Sequence, residues 1–228
     1  MIIEWPDQVS EAILNDILGF ETFLKTKQLD NFEFSAAYNS LTLVNFSGIE
    51  NQNNLRKDLL KWYKAIPTQN KVERFLWKLP VCYDIDFGID LNETAATLGF
   101  SVEELIAAHT SHEYTVYGIG FLPGFMYLGG LPTNLETSRR KEPRLKVEKG
   151  AVGLAGKQTG IYPQESPGGW NIIGNCPIPL FDATKEDPCF IQVGDKVQFK
   201  SITKAEHDLY KIESEVGIFN PERTELHV

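Results

Sequence analysis

Several features that define other protein classes are scarce in this chain. It has only Cys82, Cys176 and Cys189, whose number and spacing fit neither a disulfide framework nor a zinc knuckle. No apolar run approaches the ~20 residues that a membrane-spanning helix requires. The first residues also lack the basic start and apolar stretch of a signal peptide. We therefore expect a soluble, cytoplasmic protein that does not associate with membranes.

Positive charge is also scarce. Lys and Arg total 22 against 31 Asp and Glu, which gives a net charge of -9. Nucleic-acid binding needs a basic face that displaces counterions, so this balance argues against a nucleic-acid partner. A local basic cluster stands out, formed by Arg139-Arg140-Lys141, Arg144 and Lys146. It fits either a solvated loop or a surface that contacts an anion.

Self-sufficient catalytic motifs are missing as well. Gly153 to Lys157 resembles a phosphate-binding loop, but Gln158 follows where Ser or Thr would hold magnesium. His109 and His112 have the spacing of one helical face, yet no third zinc ligand lies nearby, so we predict no metal site. No nucleophile stands beside a base. This absence favours a shared or non-covalent site over a complete hydrolase.

The first 80 residues predict a small α/β sandwich domain. Apolar residues recur at helical spacing over 9–25, with Asp7 or Ser10 as the N-cap, and a second amphipathic helix follows around Leu55 to Tyr63. We expect both helices on one face of a sheet. The predicted strands are 32–34, 41–44 and 72–79.

Residues 81–228 predict a β-barrel domain. A short helix over 92–98 ends at Gly99, and Ser101 with Glu104 forms a capping box for the next helix, which carries His109. Short apolar strands cut by Gly and Pro follow, a pattern typical of a closed barrel. Gly194-Asp195 is predicted as a hairpin turn, and 204–214 as a helix. The predicted strands are 114–121, 125–128, 151–155, 170–174, 190–193 and 196–201.

The stretch between 109 and 170 is unusually dense in Gly, Pro, aromatic and Arg residues. Gly-rich turns expose backbone N–H groups that can hold a carboxylate, a phosphate or an oxyanion. Arg144 can bind such an anion through two parallel bonds, Gln158 offers an amide, and Tyr162 a phenol. The alternative is a set of barrel turns without a ligand, in which Trp170 belongs to the core.

A series of motifs in this half resembles one known family. The series comprises His109-Thr110, Tyr114, Gly120-Phe121-Leu122-Pro123-Gly124-Phe125, Arg139-Arg140, Pro143-Arg144, Gly156 to Pro163, Ser166 to Trp170 and Gly194-Asp195. It resembles the family of the 5-oxoprolinase B subunit, also described as allophanate hydrolase subunit 1 or carboxyltransferase subdomain C and D. The same family includes a sporulation inhibitor that blocks a sensor histidine kinase.

The resemblance implies an α+β fold, with a small α/β N-terminal domain followed by a cyclophilin-like β-barrel. It also implies that the chain works with the C and A subunits of 5-oxoprolinase, which together with it open the lactam 5-oxo-L-proline to L-glutamate at the expense of ATP. The chain has no ATP motif, so we expect ATP at the level of the complex. Inhibition of a histidine kinase and hydrolysis of allophanate or another amide remain the alternative functions.

Site residues are carried over by position. The resemblance implies His109, Arg144 and Gln158 as catalytic residues. We assign Arg144 to an anion, Gln158 to the amide, and His109 to proton transfer or orientation. The segment 82–90 is less glycine-rich than in the family, so we assign it no ligand role. The substrate-binding residues implied are Tyr114, Tyr162, Gly168, Gly169 and Trp170.

Overall fold

The computed structural model describes residues 1–27, 29–66 and 73–226, and the chain forms two compact units. The first contains Met1–Arg74 and Leu226, and the second Phe75–Glu225. The sequence places this boundary at residue 80. The structure places it six residues earlier, because the strand that starts at Arg74 belongs almost entirely to the second unit.

The first unit is a three-stranded antiparallel sheet with two helices. Its strands pair in the order β1-β3-β2, and Leu41 and Leu43 of β3 are buried together with Leu14, Ile17 and Phe20 of α1. The amphipathic spacing seen in the sequence therefore supplies the core of this unit. The elements are β1 (Ile2–Glu4), α1 (Glu11–Lys25), β2 (Phe32–Ala37), β3 (Ser40–Asn45) and α2 (Gln52–Tyr63).

The second unit is a closed barrel of seven strands. Its sheet runs β11-β8-β9-β6-β5-β12-β4, and Asn175 of β11 pairs with Cys82 of β4 to close the ring. Strand β13 also pairs with β4, and β7 pairs with β10 in a separate two-stranded ribbon. The strands are β4 (Arg74–Cys82), β5 (Glu113–Ile119), β6 (Met126–Gly129), β7 (Arg144–Val147), β8 (Ala151–Ala155), β9 (Gln158–Ile161), β10 (Ser166–Gly168), β11 (Asn171–Asn175), β12 (Lys196–Ile202) and β13 (Glu222–Leu226).

Three helices accompany the barrel, together with a short 3-10 turn at Thr133–Leu135. Gly99, with φ at +77°, ends the first helix as predicted, and the capping box of Ser101 and Glu104 opens the second. Thr203 and Glu206 form an equivalent box for the third. None of the helices among the described residues is long and apolar enough to cross a membrane. These helices are α3 (Leu91–Leu98), α4 (Val102–Thr110) and α5 (Lys204–Glu215).

The predicted α+β class with a β-barrel is confirmed. The predicted strand over 190–193 is wrong, and so is the hairpin at Gly194-Asp195. Asp195 is buried and accepts hydrogen bonds from the backbone of Phe75 and Gln192 and from the Trp77 indole, so this segment folds around a carboxylate. Val72, the predicted start of β4, lies outside the described residues. The sequence did not predict β1, β7, β9, β10 or β13.

Candidate functional site

Three aromatic rings from different strand ends meet beside the β7–β10 ribbon. Phe125 precedes β6, Tyr162 follows β9, and Trp170 lies between β10 and β11. Phe125 packs edge-to-face on Tyr162 and Trp170, with ring centroids 5.7 and 5.6 Å apart. Such offset pairs add specific attraction to the area they bury. The rings therefore form a buried aromatic cluster at the strand ends.

Glycines at this cluster are required by the closeness of the rings. A Cβ at Gly168 would lie 2.8 Å from Cε1 of Tyr162 and closer still to its hydroxyl. A Cβ at Gly160 would lie 3.1 Å from the Trp170 ring. These positions are glycine because the backbone itself packs on an aromatic face.

A cavity of about 150 Å³ opens among these rings. Phe121 lines this cavity with φ at +69°, a left-handed conformation that is costly for a bulky residue, and the residue is 68% exposed. Backbone strain that holds an apolar ring toward solvent is characteristic of binding surfaces. The cavity is lined by Phe121, Phe125, Tyr127, Arg139, Tyr162, Pro167, Gly168, Gly169 and Trp170. We call it the aromatic cavity.

Arg139 supplies the positive charge of the aromatic cavity. It is exposed and forms no ion pair with any residue that the structure describes. Burial raises the pKa of Tyr162, while the backbone N–H of Trp170 and the charges of Arg139 and Arg144 oppose that rise. Tyr162 is therefore a neutral phenol at neutral pH, and the cavity presents a cation and a hydroxyl among apolar walls.

Arg144 is occupied by a buried carboxylate. Both terminal nitrogens of its guanidinium donate to Asp90, at 2.9 and 2.6 Å, and Arg140 donates to the same carboxylate at 3.0 Å. The backbone N–H of Ile172 adds a fourth bond at 2.7 Å. Asp90 is only 3% exposed, so these donors replace the water that it loses. From the sequence, the Arg144 guanidinium was assigned to a ligand anion. In the structure it binds Asp90 instead, so it connects β7 to the start of α3 and, through the Ile172 N–H on the same carboxylate, to β11.

His109 and Tyr114 lie in the barrel core, fully buried and away from the aromatic cavity. The Thr159 hydroxyl donates to the Gly153 carbonyl, so it accepts from Nε2–H of His109 at 2.8 Å. Nδ1 then accepts from the Tyr83 hydroxyl at 2.7 Å. The ring stacks on Phe199 at 4.5 Å, and burial lowers the pKa of His109 to about 3. The Tyr114 hydroxyl donates to the His109 carbonyl.

This environment holds His109 neutral with both ring nitrogens satisfied. Proton transfer to a ligand would require the ring to leave its partners, so the geometry favours a structural role for His109 and Tyr114. Gln158, half-buried at the start of β9, pairs with Ala155 of β8 and is not one of the described residues that line the aromatic cavity.

The structure thus separates the residues implied by the resemblance. It brings Tyr162, Gly168, Gly169 and Trp170 together, and it keeps His109, Tyr114 and Gln158 elsewhere. Arg139, Phe121 and Phe125 line the cavity. From the sequence, the two phenylalanines had no assigned role, and Arg139 was only one member of the basic cluster. Their signal was present, since all three belong to the quoted motifs. No group of three metal-binding side chains occurs within the described ranges.

The sequence of this chain is similar to those of known proteins. The family described as "Carboxyltransferase domain, subdomain C and D" matches residues 1–191. The chain is 33% identical over 225 residues to the 5-oxoprolinase B subunit of Bacillus subtilis, covering 94% of each chain. It is 48% identical over 146 residues to the 5-oxoprolinase B subunit of Haemophilus influenzae, covering 63% of this chain and 68% of the relative.

A solved structure shares the fold. The crystal structure of TTHA0988 superposes with a TM-score of 0.76 at 33% identity, over 89% of this chain. The present chain spans only 39% of that longer chain.

Proposed function

Because this chain belongs to the carboxyltransferase subdomain C and D family, we propose that it is the B subunit of an ATP-dependent 5-oxoprolinase. In this function it acts with the C and A subunits to open 5-oxo-L-proline to L-glutamate. The observation that carries the proposal is the match with the Bacillus subtilis relative, which extends over 94% of both chains. A match of that extent includes both compact units and not only a barrel that other functions can share.

The aromatic cavity is the proposed contact with the substrate. 5-Oxoproline is a small, flat ring with one carboxylate, and the cavity offers flat apolar walls with Arg139 at its rim. A guanidinium binds a carboxylate through two parallel bonds, and the neutral Tyr162 hydroxyl can donate to a lactam carbonyl. At about 150 Å³ the cavity is smaller than most ligand sites, so it suits one small ring and needs a second surface to enclose it.

The chemistry itself is assigned to the complex. Of the described residues that line the cavity, none is a carboxylate, a histidine or a cysteine. A lactam is an unreactive amide, and phosphorylation of its oxygen by ATP activates the carbonyl carbon toward water. ADP leaves, water adds to that carbon, and the C–N bond breaks to give the amine and a side-chain acyl phosphate. A second water then releases inorganic phosphate and leaves the side-chain carboxylate of glutamate. The present chain holds and orients the ring, while ATP binds at the level of the complex.

Reconstitution tests the proposal. The chain is mixed with candidate A and C subunits, and glutamate release is followed with and without ATP. We expect release only when all three subunits and ATP are present. Each mixture that lacks one of the three is the matched control.

Three outcomes would overturn the proposal. The first is glutamate release that does not need this chain. The second is ATP-dependent hydrolysis of allophanate with no release from 5-oxoproline, which would assign another amide. The third is an inactive mixture combined with inhibition of a purified sensor histidine kinase.

A further inference from the structure

The backbone of the segment that carries Arg139 is held in place just before that residue. Thr137 exchanges two backbone hydrogen bonds with Gly156, of 2.6 and 3.3 Å. The side-chain amide of Asn171 donates to the Ser138 carbonyl at 2.9 Å. Arg139 itself is exposed, so the position of its guanidinium at the aromatic cavity depends on how this backbone is held.

Arg140 holds the segment immediately after Arg139, and it does so through two bonds. Its backbone N–H donates at 2.8 Å to the carbonyl of Gly169, a residue that lines the aromatic cavity. Its guanidinium donates to the Asp90 carboxylate at 3.0 Å. The two neighbouring arginines therefore differ in their surroundings, because Arg140 binds a buried carboxylate while Arg139 lines the cavity.

Asp90 is itself firmly held. It is buried, its backbone N–H donates to the Ile172 carbonyl at 2.9 Å, and its carboxylate accepts from the Ile172 N–H at 2.7 Å. Although Asp90 precedes α3, its side chain makes no capping bond to that helix, and its oxygens accept from Arg140 and Arg144 instead. Separating a buried charge from its partners is costly, so this carboxylate is a stiff attachment for the segment of Arg139.

The role of this attachment follows from the geometry that Arg139 needs. A guanidinium binds a carboxylate through two parallel bonds, which requires a defined orientation. Misplacing a binding group by about 1 Å can cost about 100-fold in rate. We propose that Arg140, held by Asp90, is a positioning residue that fixes Arg139 at the aromatic cavity for the carboxylate of the substrate. The inference rests on the proposed function, in which Arg139 binds that carboxylate.

Amide hydrogen exchange in the full chain alone tests whether the Arg140 side chain holds the segment. In Arg140→Ala, the N–H at position 140 should exchange roughly tenfold faster after correction for intrinsic rates, because its bond to the Gly169 carbonyl opens more often. The amide of Leu105, bonded to the Ser101 carbonyl in α4, reports any global loss of stability and should change less. Glu93→Ala is the matched control and should leave position 140 unchanged, since Glu93 contacts the same guanidinium at 3.5 Å but is 74% exposed.

A double-variant comparison in the reconstituted complex tests whether Arg140 acts through Arg139. Arg140→Ala should lower kcat/KM roughly tenfold, mainly by raising KM, because the substrate carboxylate is bound in the ground state and the transition state alike. In an Arg139→Ala background the same substitution should cause no further loss, since the residue that it positions is absent. Arg140→Lys should lose no more than about threefold, because Arg140 gives Asp90 a single bond that an ammonium can also donate.

Two results would overturn the inference. One is an unchanged exchange rate at position 140 in Arg140→Ala, and the other is a tenfold loss of kcat/KM that persists in the Arg139→Ala background. A wild-type complex that releases no glutamate from 5-oxoproline would instead overturn the proposed function, and with it the role toward the substrate. Faster exchange at position 140 would still show that Arg140 holds the segment, so the two failures are distinguishable.

Discussion

Two clusters in the second unit contain polar and aromatic side chains, and they differ in how their polar atoms are satisfied. Around His109, each ring nitrogen has a partner within 2.8 Å, and the ring stacks on Phe199. Around Tyr162, the rings pack edge-to-face, but Arg139 lines the cavity without a carboxylate partner among the described residues. The first cluster is complete within this chain, and the second leaves a charge for another molecule.

The comparison shows that residue type alone does not separate a site from a core. A histidine is the commonest choice for proton transfer, yet here its position deep in the barrel turns it into a packing and hydrogen-bonding residue. An unpaired cation beside a concave surface is the better indicator of a site. The same distinction separates Arg139 from Arg144.

The largest effect on stability is expected in the cluster around His109. His109→Ala should lower the free energy of unfolding by roughly 3–5 kcal/mol, because it opens a cavity and leaves the Tyr83 and Thr159 hydroxyls without a partner. Urea denaturation measures the change. His112→Ala is the control, since His112 is exposed and should change stability by no more than about 0.5 kcal/mol. A loss of no more than about 0.5 kcal/mol in His109→Ala would contradict the structural role of His109.

The next largest effect on stability is expected when the Asp90 carboxylate is removed. Asp90→Ala should cost roughly 3 kcal/mol of unfolding free energy, because it leaves Arg140 and Arg144 without their shared acceptor. Glu93→Ala is matched to it, since Glu93 contacts the same Arg140 at 3.5 Å but its side chain is 74% exposed. That control should cost at most about 0.5 kcal/mol. Equal losses in the two variants would show that the network is not the anchor of β7.

Adjacent glycines give a sharper contrast at the aromatic cavity. Gly168→Ala should destabilise the protein by roughly 1–3 kcal/mol and displace the Tyr162 ring, which the new Cβ would overlap. At Gly169 the nearest atoms lie 3.7 Å from a new Cβ, an ordinary contact, so Gly169→Ala should change stability by no more than about 0.5 kcal/mol. Thermal unfolding and the near-ultraviolet spectrum of the rings report the difference. Identical behaviour of the two variants would argue against close packing at Gly168.

Stability should also depend on pH through His109. Burial lowers the folded-state pKa from 6.5 to about 3, so the unfolded chain binds the proton first as pH falls. The stabilisation is therefore complete above pH 6.5 and is lost progressively toward pH 3, at up to about 1.4 kcal/mol per pH unit. Denaturation curves of the wild type and His109→Gln between pH 7 and 4 test this. If the free energy of unfolding of His109→Gln depends on pH as steeply as that of the wild type, the pH dependence does not come from His109.

Features with strong local signals were predictable from the sequence. The capping box of Ser101 and Glu104 and the stop at Gly99 depend on neighbouring residues alone, and both are present in the structure. The ribbon of β7 and β10 was missed because its pairing joins residues about twenty positions apart through a Gly- and Pro-rich segment. Asp195 shows the same limit, since it binds Phe75, which lies 120 positions away.

The candidate site was predictable only in part, because only some of its residues are close together in the sequence. Tyr162 and Gly168 to Trp170 are close in sequence, and their glycines and rings already indicate tight packing. Arg139 and Arg144 look equivalent in the chain. What distinguishes them is Asp90, 54 positions from Arg144, in a segment to which the sequence assigned no ligand role. Likewise, nothing near His109 in the sequence shows that its ring points toward Thr159.

Whether Arg139 binds the substrate is decided by the activity of Arg139→Ala in the reconstituted complex. Arg144→Ala and the exposed neighbour variant Lys141→Ala are measured alongside it. We expect a loss of about 100-fold in kcat/KM for Arg139→Ala, equivalent to about 2.7 kcal/mol, with no change in the free energy of unfolding. Arg144→Ala should instead lower stability, and Lys141→Ala should change neither quantity. Full turnover by a folded Arg139→Ala variant would show that Arg139 does not bind the substrate.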